Sequence, residues 1–153
     1  MSDRSIRVVA LGIPRRERAD GTREILVSEC HDPDPGAGEP ETFYRPLGGG
    51  VVFGEHSEDA LVREFAEELS VTVSDVERVG TYEDVFTHEG ATHHEVWRVY
   101  EPTVEEDWVY ERDRFVGYEP DLDERIDCRW IPTSTFTGGE KTFYPEDALA
   151  DLW

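Results

Sequence analysis

Three carboxylates in the 153-residue chain have a spacing that suits a metal site. Glu64, Glu67 and Glu68 fall within an arc of about 100° if the segment is helical, because each residue of a helix turns by about 100°. Like charges at these spacings destabilise a helix by about 0.2–0.5 kcal/mol per pair, and a hard dication such as Mg2+ reverses the repulsion. The other interpretation is a solvated acidic face, which is common in a chain this acidic.

The sequence around these glutamates predicts a helix over residues 57–69. Its apolar side lies opposite the glutamates and is expected to face the core. The members of that side are Val62, Phe65, Ala66 and Leu69, with Leu61 at the border. A glycine turn from Gly49 to Gly54 precedes the helix, and the solvated-face interpretation does not explain that turn or the fixed offsets of Glu55 and Arg63.

From Gly49 to Val71 the chain reads G-x5-E-x7-R-E-Φ-x-E-E-x-S-Φ, where Φ is apolar. This segment resembles the Nudix box, which usually has an aliphatic residue in place of Phe65 and glycine in place of Ser70. The resemblance implies a single domain over residues 1–153 with an α/β fold, an α/β/α sandwich with a mixed β-sheet. It also implies hydrolysis of a nucleoside diphosphate linked to another moiety, such as ADP-ribose, a dinucleotide or a modified nucleoside triphosphate, with Mg2+ or Mn2+ as cofactor. Ser70 carries no implied ligand atom, so we expect it to cost about 1 kcal/mol of stability and to leave the chemistry intact.

The resemblance also assigns roles to the matching positions. The implied catalytic residues are Arg63, Glu64, Glu67 and Glu68. The implied metal ligands are Gly49, Glu55, Glu64, Glu67, Glu68 and Glu124. Among them Glu68 is the foremost ligand, Gly49 contributes its carbonyl oxygen, and Glu55 supports the other ligands or binds an additional metal. Arg63 is expected to orient a carboxylate.

Glu124 and the general base are open questions at this stage. Glu124 lies six residues before Trp130, where some family members have a further acidic ligand, and the alternative is an exposed loop glutamate. The general base is left open between Glu64, Glu124 and a group of histidines. That group consists of His88, His93 and His94, for which a structural or solvated role is the simpler account.

Substrate contacts are expected outside the box. Arg45 precedes the glycine turn and can reach a phosphate with two parallel hydrogen bonds. Tyr44, Phe86 and Trp97 can stack on a base, although aromatic residues in strands more often pack in the core. The expected partner is therefore a small-molecule nucleotide, and the resemblance adds a homodimer because Nudix relatives are often dimers.

A second function from another class is a Nudix domain that senses a nucleotide without hydrolysing it. The intact glutamates argue against that alternative, and no appended DNA-binding segment is visible in the sequence. A turnover assay and a nucleotide-binding assay separate the two.

The charge of the chain argues against nucleic acid and anionic membranes as partners and suggests a protein adapted to high salt. The net charge is −21, with 36 acidic and 15 basic residues, and Lys141 is the only lysine. Such a surface repels nucleic acid and anionic membranes. It resembles proteins of salt-loving organisms.

Cys30 and Cys128 form no CxxC motif and are expected to be free thiols of a cytoplasmic protein. No run of about 20 apolar residues suggests a membrane span.

We expect the folded protein to gain stability from salt. In molar salt the Debye length falls to about 3 Å, which screens the repulsion among carboxylates. The melting temperature should therefore rise between about 0.1 M and 3 M KCl, and a thermal melt at both concentrations checks this. An unchanged melting temperature would contradict the expectation.

The remaining pattern predicts strands on both sides of the helix. They are expected over residues 5–13, 24–30, 42–45, 50–53, 79–86, 93–100 and 125–131, with a second helix over 146–152. Residues 104–124 are acidic, contain scattered aromatics, and are expected to form a loop.

Overall fold

The structure, a computed structural model, describes residues 4–88 and 90–152. Its strands are β1 (Ile6–Gly12), β2 (Arg15–Glu17), β3 (Arg23–His31), β4 (Thr42–Arg45), β5 (Leu47–Gly50), β6 (Val73–His88), β7 (Ala91–Val104), β8 (Arg114–Glu119) and β9 (Glu124–Pro132). Its helices are α1 (Ser57–Leu69), α2 (Trp108–Glu111), α3 (Thr133–Thr137) and α4 (Glu146–Leu152). Within the described residues, no helix combines the length and apolar character needed to cross a bilayer.

The strands form two sheets. The first has the order β5-β1-β7-β6 and is mixed, since β1 lies parallel to β7 while the other pairs are antiparallel. The second has the order β2-β3-β9-β8 and is antiparallel, with β4 paired to part of β3. The mixed sheet inferred from the resemblance is therefore confirmed.

The central strands bury side chains on both of their faces. In β1, Ala10 packs in one hydrophobic cluster with α1, whereas its neighbours Val9 and Leu11 pack in a second cluster with α3 and α4. Successive strand residues point to opposite faces, so these two clusters lie on opposite sides of the strands. Helices cover both sides, which gives the expected α/β/α sandwich.

Helix α1 has the predicted boundaries but a different buried face. Its buried residues are Ala60, Leu61, Glu64, Phe65, Glu68 and Leu69. Val62 and Ala66, predicted to face the core, are exposed. The helix contacts the strands of the first sheet and also β8, so its buried arc is wider than one apolar stripe and includes two of the three glutamates. The prediction that all three glutamates lie opposite the buried face is therefore wrong for Glu64 and Glu68.

Ser70 ends α1 in the left-handed conformation that the box usually gives to glycine. Its φ and ψ are 57° and 39°, and its N–H donates to the carbonyl oxygen of Ala66 at 3.1 Å. A side chain in this region is crowded against the following carbonyl, which costs about 1–2 kcal/mol relative to glycine.

We expect Ser70→Gly to raise the free energy of unfolding by about 1 kcal/mol and to leave any activity unchanged. The gain in stability is smaller than the full relief of strain, because glycine also has greater freedom in the unfolded chain. Denaturant unfolding at fixed high salt measures the change. Ser74→Gly, at a position without a positive φ, is the control and should lower stability. Stabilisation by both substitutions, or by neither, would show that the left-handed backbone of Ser70 is not strained.

Candidate active site

Three carboxylates from two separate elements meet at the inner side of α1. Glu64 and Glu68 come from the helix, and Glu119 comes from the end of β8. One carboxylate oxygen from each lies within 4.8 Å of the other two. Sequence reasoning missed Glu119 because it placed residues 104–124 in a loop, whereas part of that segment is the strand that delivers this residue.

A glycine allows β8 to approach α1 closely enough for this meeting. A Cβ atom on Gly117 would lie 2.5 Å from Cδ2 of Leu69 and 2.8 Å from the carbonyl oxygen of Glu68, which is closer than real contacts allow. Phe115, Gly117 and Glu119 share one face of the strand because side chains alternate. The glycine contact against the end of α1 therefore places the carboxylate of Glu119, two residues later, beside that of Glu68.

One oxygen of the Glu68 carboxylate lacks, within the described part of the chain, the hydrogen-bond donor that a buried anion needs. Its Oε1 atom is buried without a hydrogen-bond partner among the described residues. Burial, reinforced by the neighbouring carboxylates of Glu64 and Glu119, raises the pKa of Glu68 far above its ordinary value. An unsatisfied buried oxygen among carboxylates is stabilised either by a proton or by a cation.

Arg63 organises the opposite edge of the glutamate face. Its Nε and Nη2 atoms donate to the two carboxylate oxygens of Glu55 at 2.9 and 3.0 Å, and Nη2 also donates to the carbonyl oxygen of Gly50 at 3.1 Å. Its Nη1 donates to Glu64 at 3.0 Å and to Glu67 at 3.3 Å. Hydrogen bonds from Arg63, together with the Val52 N–H, lower the pKa of Glu55. These contacts give Arg63 the orienting geometry expected from the resemblance.

The glycine turn leaves room for the Glu64 carboxylate. A Cβ atom on Gly49 would lie 2.7–2.8 Å from the carboxylate atoms of Glu64. Gly48 has a φ of 140°, and a Cβ there would lie 2.0 Å from the carbonyl oxygen of Ala10. Glycine at both positions therefore lets β5 pair with β1 while Glu64 packs directly over the strand.

Three expected carboxylate ligands lie outside the three-carboxylate cluster. Glu55 is held by Arg63, and Glu67 is exposed, with its carboxylate 3.3 Å from Nη1 of Arg63. Glu124 is exposed at the start of β9, directly across the hairpin from Glu119. Glu124 does line the adjacent cavity, so its expected role as a ligand stays a prediction.

A cavity of about 500 Å3 opens beside the cluster. Its wall includes Glu64, Glu68, Glu119, the edge of β5 and the inward residues of the second sheet. Oxygen ligands of one Mg2+ lie at most about 4.2 Å apart, so the cluster fits such an ion after a contraction of a few tenths of an ångström. The buried unsatisfied oxygen of Glu68 and the all-carboxylate donor set both fit a hard divalent cation.

The expected substrate residues lie in different surroundings. Arg45 lines the cavity, and its guanidinium lies 5.7 Å from the ring centroid of Trp97. The ring of Tyr44 is buried in the core against Phe136, and its hydroxyl donates to Glu29 at 3.1 Å. The ring of Tyr44 is therefore part of the core packing and does not line the cavity, so its substrate contact rests on the sequence alone.

The other aromatic and histidine candidates lie on the long β6–β7 hairpin. Trp97 is buried, and Phe86 stacks on His93 with ring centroids 5.2 Å apart. His94 lies 2.9 Å from a carboxylate oxygen of Glu83. None of these side chains lines the cavity beside the carboxylates, and the side chain of His88 lies outside the described part of the structure.

Comparison with known proteins gives a family pattern and a set of similar folds. The pattern of the NUDIX domain matches residues 7–148. A mutT/nudix family protein from Listeria innocua is 18% identical, with a TM-score of 0.62 over 97% of this chain and 92% of that one. The MutT NUDIX hydrolase from Burkholderia pseudomallei is 19% identical, with a TM-score of 0.59 over 97% and 99%. The NUDIX hydrolase from Nitrosomonas europaea is 18% identical, with a TM-score of 0.57 over 96% and 88%. No curated protein sequence matches the chain.

Proposed function

This chain belongs to the NUDIX domain family, and on that premise we propose that it hydrolyses a pyrophosphate bond in a nucleoside diphosphate linked to another moiety, with a divalent cation. The observation that carries the proposal is the cluster of Glu64, Glu68 and Glu119 on the wall of the cavity. A buried carboxylate with an unsatisfied oxygen is costly, and the cost is tolerated where the group has a function.

Mg2+ or Mn2+ is the proposed cofactor, held by Glu64, Glu68 and Glu119, with Glu67 and the Gly49 carbonyl as further ligands. When bound, such an ion neutralises pyrophosphate oxygens and lowers the pKa of an attacking water. Arg63 keeps Glu64 in place through its hydrogen bond, and Glu55 keeps Arg63 in place through two more. The cluster therefore has rigid support on its Arg63 side.

The general base is proposed to be Glu64 or Glu119, whose carboxylates lie together on the cavity wall. Glu124, the other carboxylate candidate expected from the sequence, also lines the cavity but is exposed outside the cluster, and the Glu124→Gln variant tests its part. The Glu119 side chain also accepts a hydrogen bond from the Asp121 N–H at 3.0 Å, which fixes the carboxylate while leaving acceptor capacity for a water.

The substrate is proposed from the classes that the family resemblance implies, namely ADP-ribose-like compounds, dinucleotides and modified nucleoside triphosphates. A cavity of about 500 Å3 is within the usual range for a ligand of that size. The second candidate, a nucleotide sensor without turnover, conflicts with an intact carboxylate cluster beside the cavity.

The experiment is a turnover panel in high salt with these three substrate classes, each with Mg2+, with Mn2+ and with excess chelator. Phosphate is measured after phosphatase coupling, and reactions in 18O-labelled water show by mass spectrometry which product receives the oxygen. We expect turnover with the metals and none with chelator. Tight nucleotide binding without turnover across the whole panel would favour the sensor and overturn the hydrolase.

The proposed setting is the cytoplasm of a salt-loving organism. The 36 acidic residues, single lysine and two free cysteines support this setting. Dimerisation, which the family resemblance implies, stays a prediction.

A further inference from the structure

The cavity has a second charged wall that the box does not account for. Arg7 and Arg45 both line the cavity, and both approach the carboxylate of Glu95. The N···O distances are 3.6 Å for Arg7 and 4.0 Å for Arg45. Glu95 is buried, with 7% of its surface exposed, and Trp97 Nε1 donates to it at 2.9 Å. One buried anion thus holds two cations at the cavity.

The two arginines differ from Arg63 in how many of their donors are used. Arg63 donates to three carboxylates and one carbonyl, so its guanidinium is engaged by the protein. The contacts of Arg7 and Arg45 with Glu95 are longer than hydrogen bonds, and no side-chain hydrogen bond from either is found among the described residues. Their guanidinium groups therefore keep donors for a ligand.

Arg7 and Arg45 form what we call the arginine wall. It lies on the opposite face of β5 from the carboxylate cluster. A Cβ atom on Gly50 would lie 2.9 Å from Nη2 of Arg7, and one on Gly49 would lie 2.7 Å from Cδ of Glu64. Neighbouring strand residues point to opposite faces, so the two groups flank β5. Standard bond lengths then limit the distance from Arg7 Nη2 to Glu64 Cδ to at most about 12 Å.

The electrostatics of the arginine wall favour an anion. Two guanidinium groups and one carboxylate leave a net charge of about +1 there, whereas the opposite wall carries several carboxylates. Guanidinium groups bind phosphate with two parallel, charge-assisted hydrogen bonds. The wall therefore suits a phosphate that is separate from the one held at the carboxylate cluster.

We propose that Arg7 and Arg45, held in place by Glu95, bind a second phosphate monoester of the substrate, beyond the pyrophosphate that is cleaved. The proposal rests on the proposed hydrolase function and narrows its substrate to a nucleoside diphosphate derivative with an additional phosphate. That phosphate lies either on the ribose of the nucleoside or on the linked moiety.

Binding of product-like ligands tests the proposal without turnover. Calorimetric titration in high salt with Mg2+ compares adenosine 2′,5′- and 3′,5′-bisphosphate with adenosine 5′-monophosphate, and ribose 1,5-bisphosphate with ribose 5-phosphate. At least one bisphosphate should bind about tenfold more tightly than its monophosphate, and the pair that does so identifies which part of the substrate carries the phosphate. Arg7→Gln and Arg45→Gln should each reduce this preference to about twofold or less.

The matched control is Arg78→Gln, which makes the same charge change at an exposed position of β6 away from the cavity. It should keep the preference of the unaltered protein. Equal binding of every bisphosphate and its monophosphate, or a preference that persists in both cavity variants, would overturn the proposal.

Glu95→Gln tests whether Glu95 positions the arginines. The amide can still accept from Trp97, and the substitution makes the wall more positive. Loss of positioning lowers the bisphosphate preference, whereas a purely electrostatic wall would raise it, so an increase would overturn the role of Glu95. The two proposals can fail separately. Turnover of the substrate panel, combined with equal binding of every bisphosphate and its monophosphate, would overturn only the second-phosphate site. A bisphosphate preference without any turnover would overturn only the hydrolase.

Discussion

Replacement of Glu68 by glutamine is expected to abolish most activity and to stabilise the metal-free protein. We expect kcat to fall about a thousandfold, because the amide removes an anionic ligand from the centre of the cluster. The free energy of unfolding without metal should rise by about 1 kcal/mol, because the substitution removes a buried, unsatisfied carboxylate from the neighbourhood of Glu64 and Glu119. Opposite changes in activity and stability are typical of a site where closely spaced carboxylates destabilise the fold but are needed for activity.

Steady-state kinetics and denaturant unfolding with chelator measure the two effects on the same preparation. Glu58→Gln is the matched control, since Glu58 is exposed in the first turn of the same helix. It should leave kcat unchanged and, by weakening a favourable contact with the helix dipole, lower stability slightly. Near-normal activity of the Glu68 variant would reject the cluster as the metal site.

The part of the site that is local in sequence could be predicted well. The boundaries of α1 are those expected over 57–69, and Arg63 contacts Glu67, four residues later. Helical periodicity fixes such neighbours, because residues four apart lie on one face of a helix. The left-handed conformation at Ser70 was likewise expected from the position where the helix ends.

The periodicity could not determine which side of the helix is buried. On a helical projection Val62 and Ala66 look like core residues, but they are exposed, while Glu64 and Glu68 are buried. The reason is tertiary: α1 packs between the first sheet and β8, and the second contact turns the glutamates inward. A contact made by a distant strand leaves no signal in the pattern of the helix itself.

The strand that supplies the third carboxylate, β8, could not be predicted for a related reason. Gly117 lies within the segment 104–124 that is predicted to be a loop, yet it belongs to β8 and is glycine because α1 leaves no room for a side chain. Glycine within a strand often marks such a close approach. A loop prediction for residues 104–124 assigns Glu119 to no face of a strand, and the additional acidic ligand is predicted at Glu124 from its offset to Trp130 alone.

The structure places Glu119 in the carboxylate cluster, whereas the sequence pattern predicts Glu124 as the further ligand. Glu119→Gln is expected to lower kcat at least a hundredfold, because its carboxylate lies in the cluster with Glu64 and Glu68. Glu124→Gln is expected to change kcat by no more than about threefold, because that side chain is exposed outside the cluster. The two residues face each other across the β8–β9 hairpin, so the pair is matched in position and in charge change.

The same comparison should appear in metal binding, where no turnover is needed. Titration of Mn2+ followed by its paramagnetic signal should show a weaker site in Glu119→Gln and an unchanged one in Glu124→Gln. The glutamine at position 119 can still accept the hydrogen bond from the Asp121 N–H, so a loss of affinity reflects the missing charge and not a displaced loop. The reverse order of effects would mean that the hairpin rearranges when metal binds, and that the six-residue offset from Trp130 identified the ligand better than the metal-free geometry does.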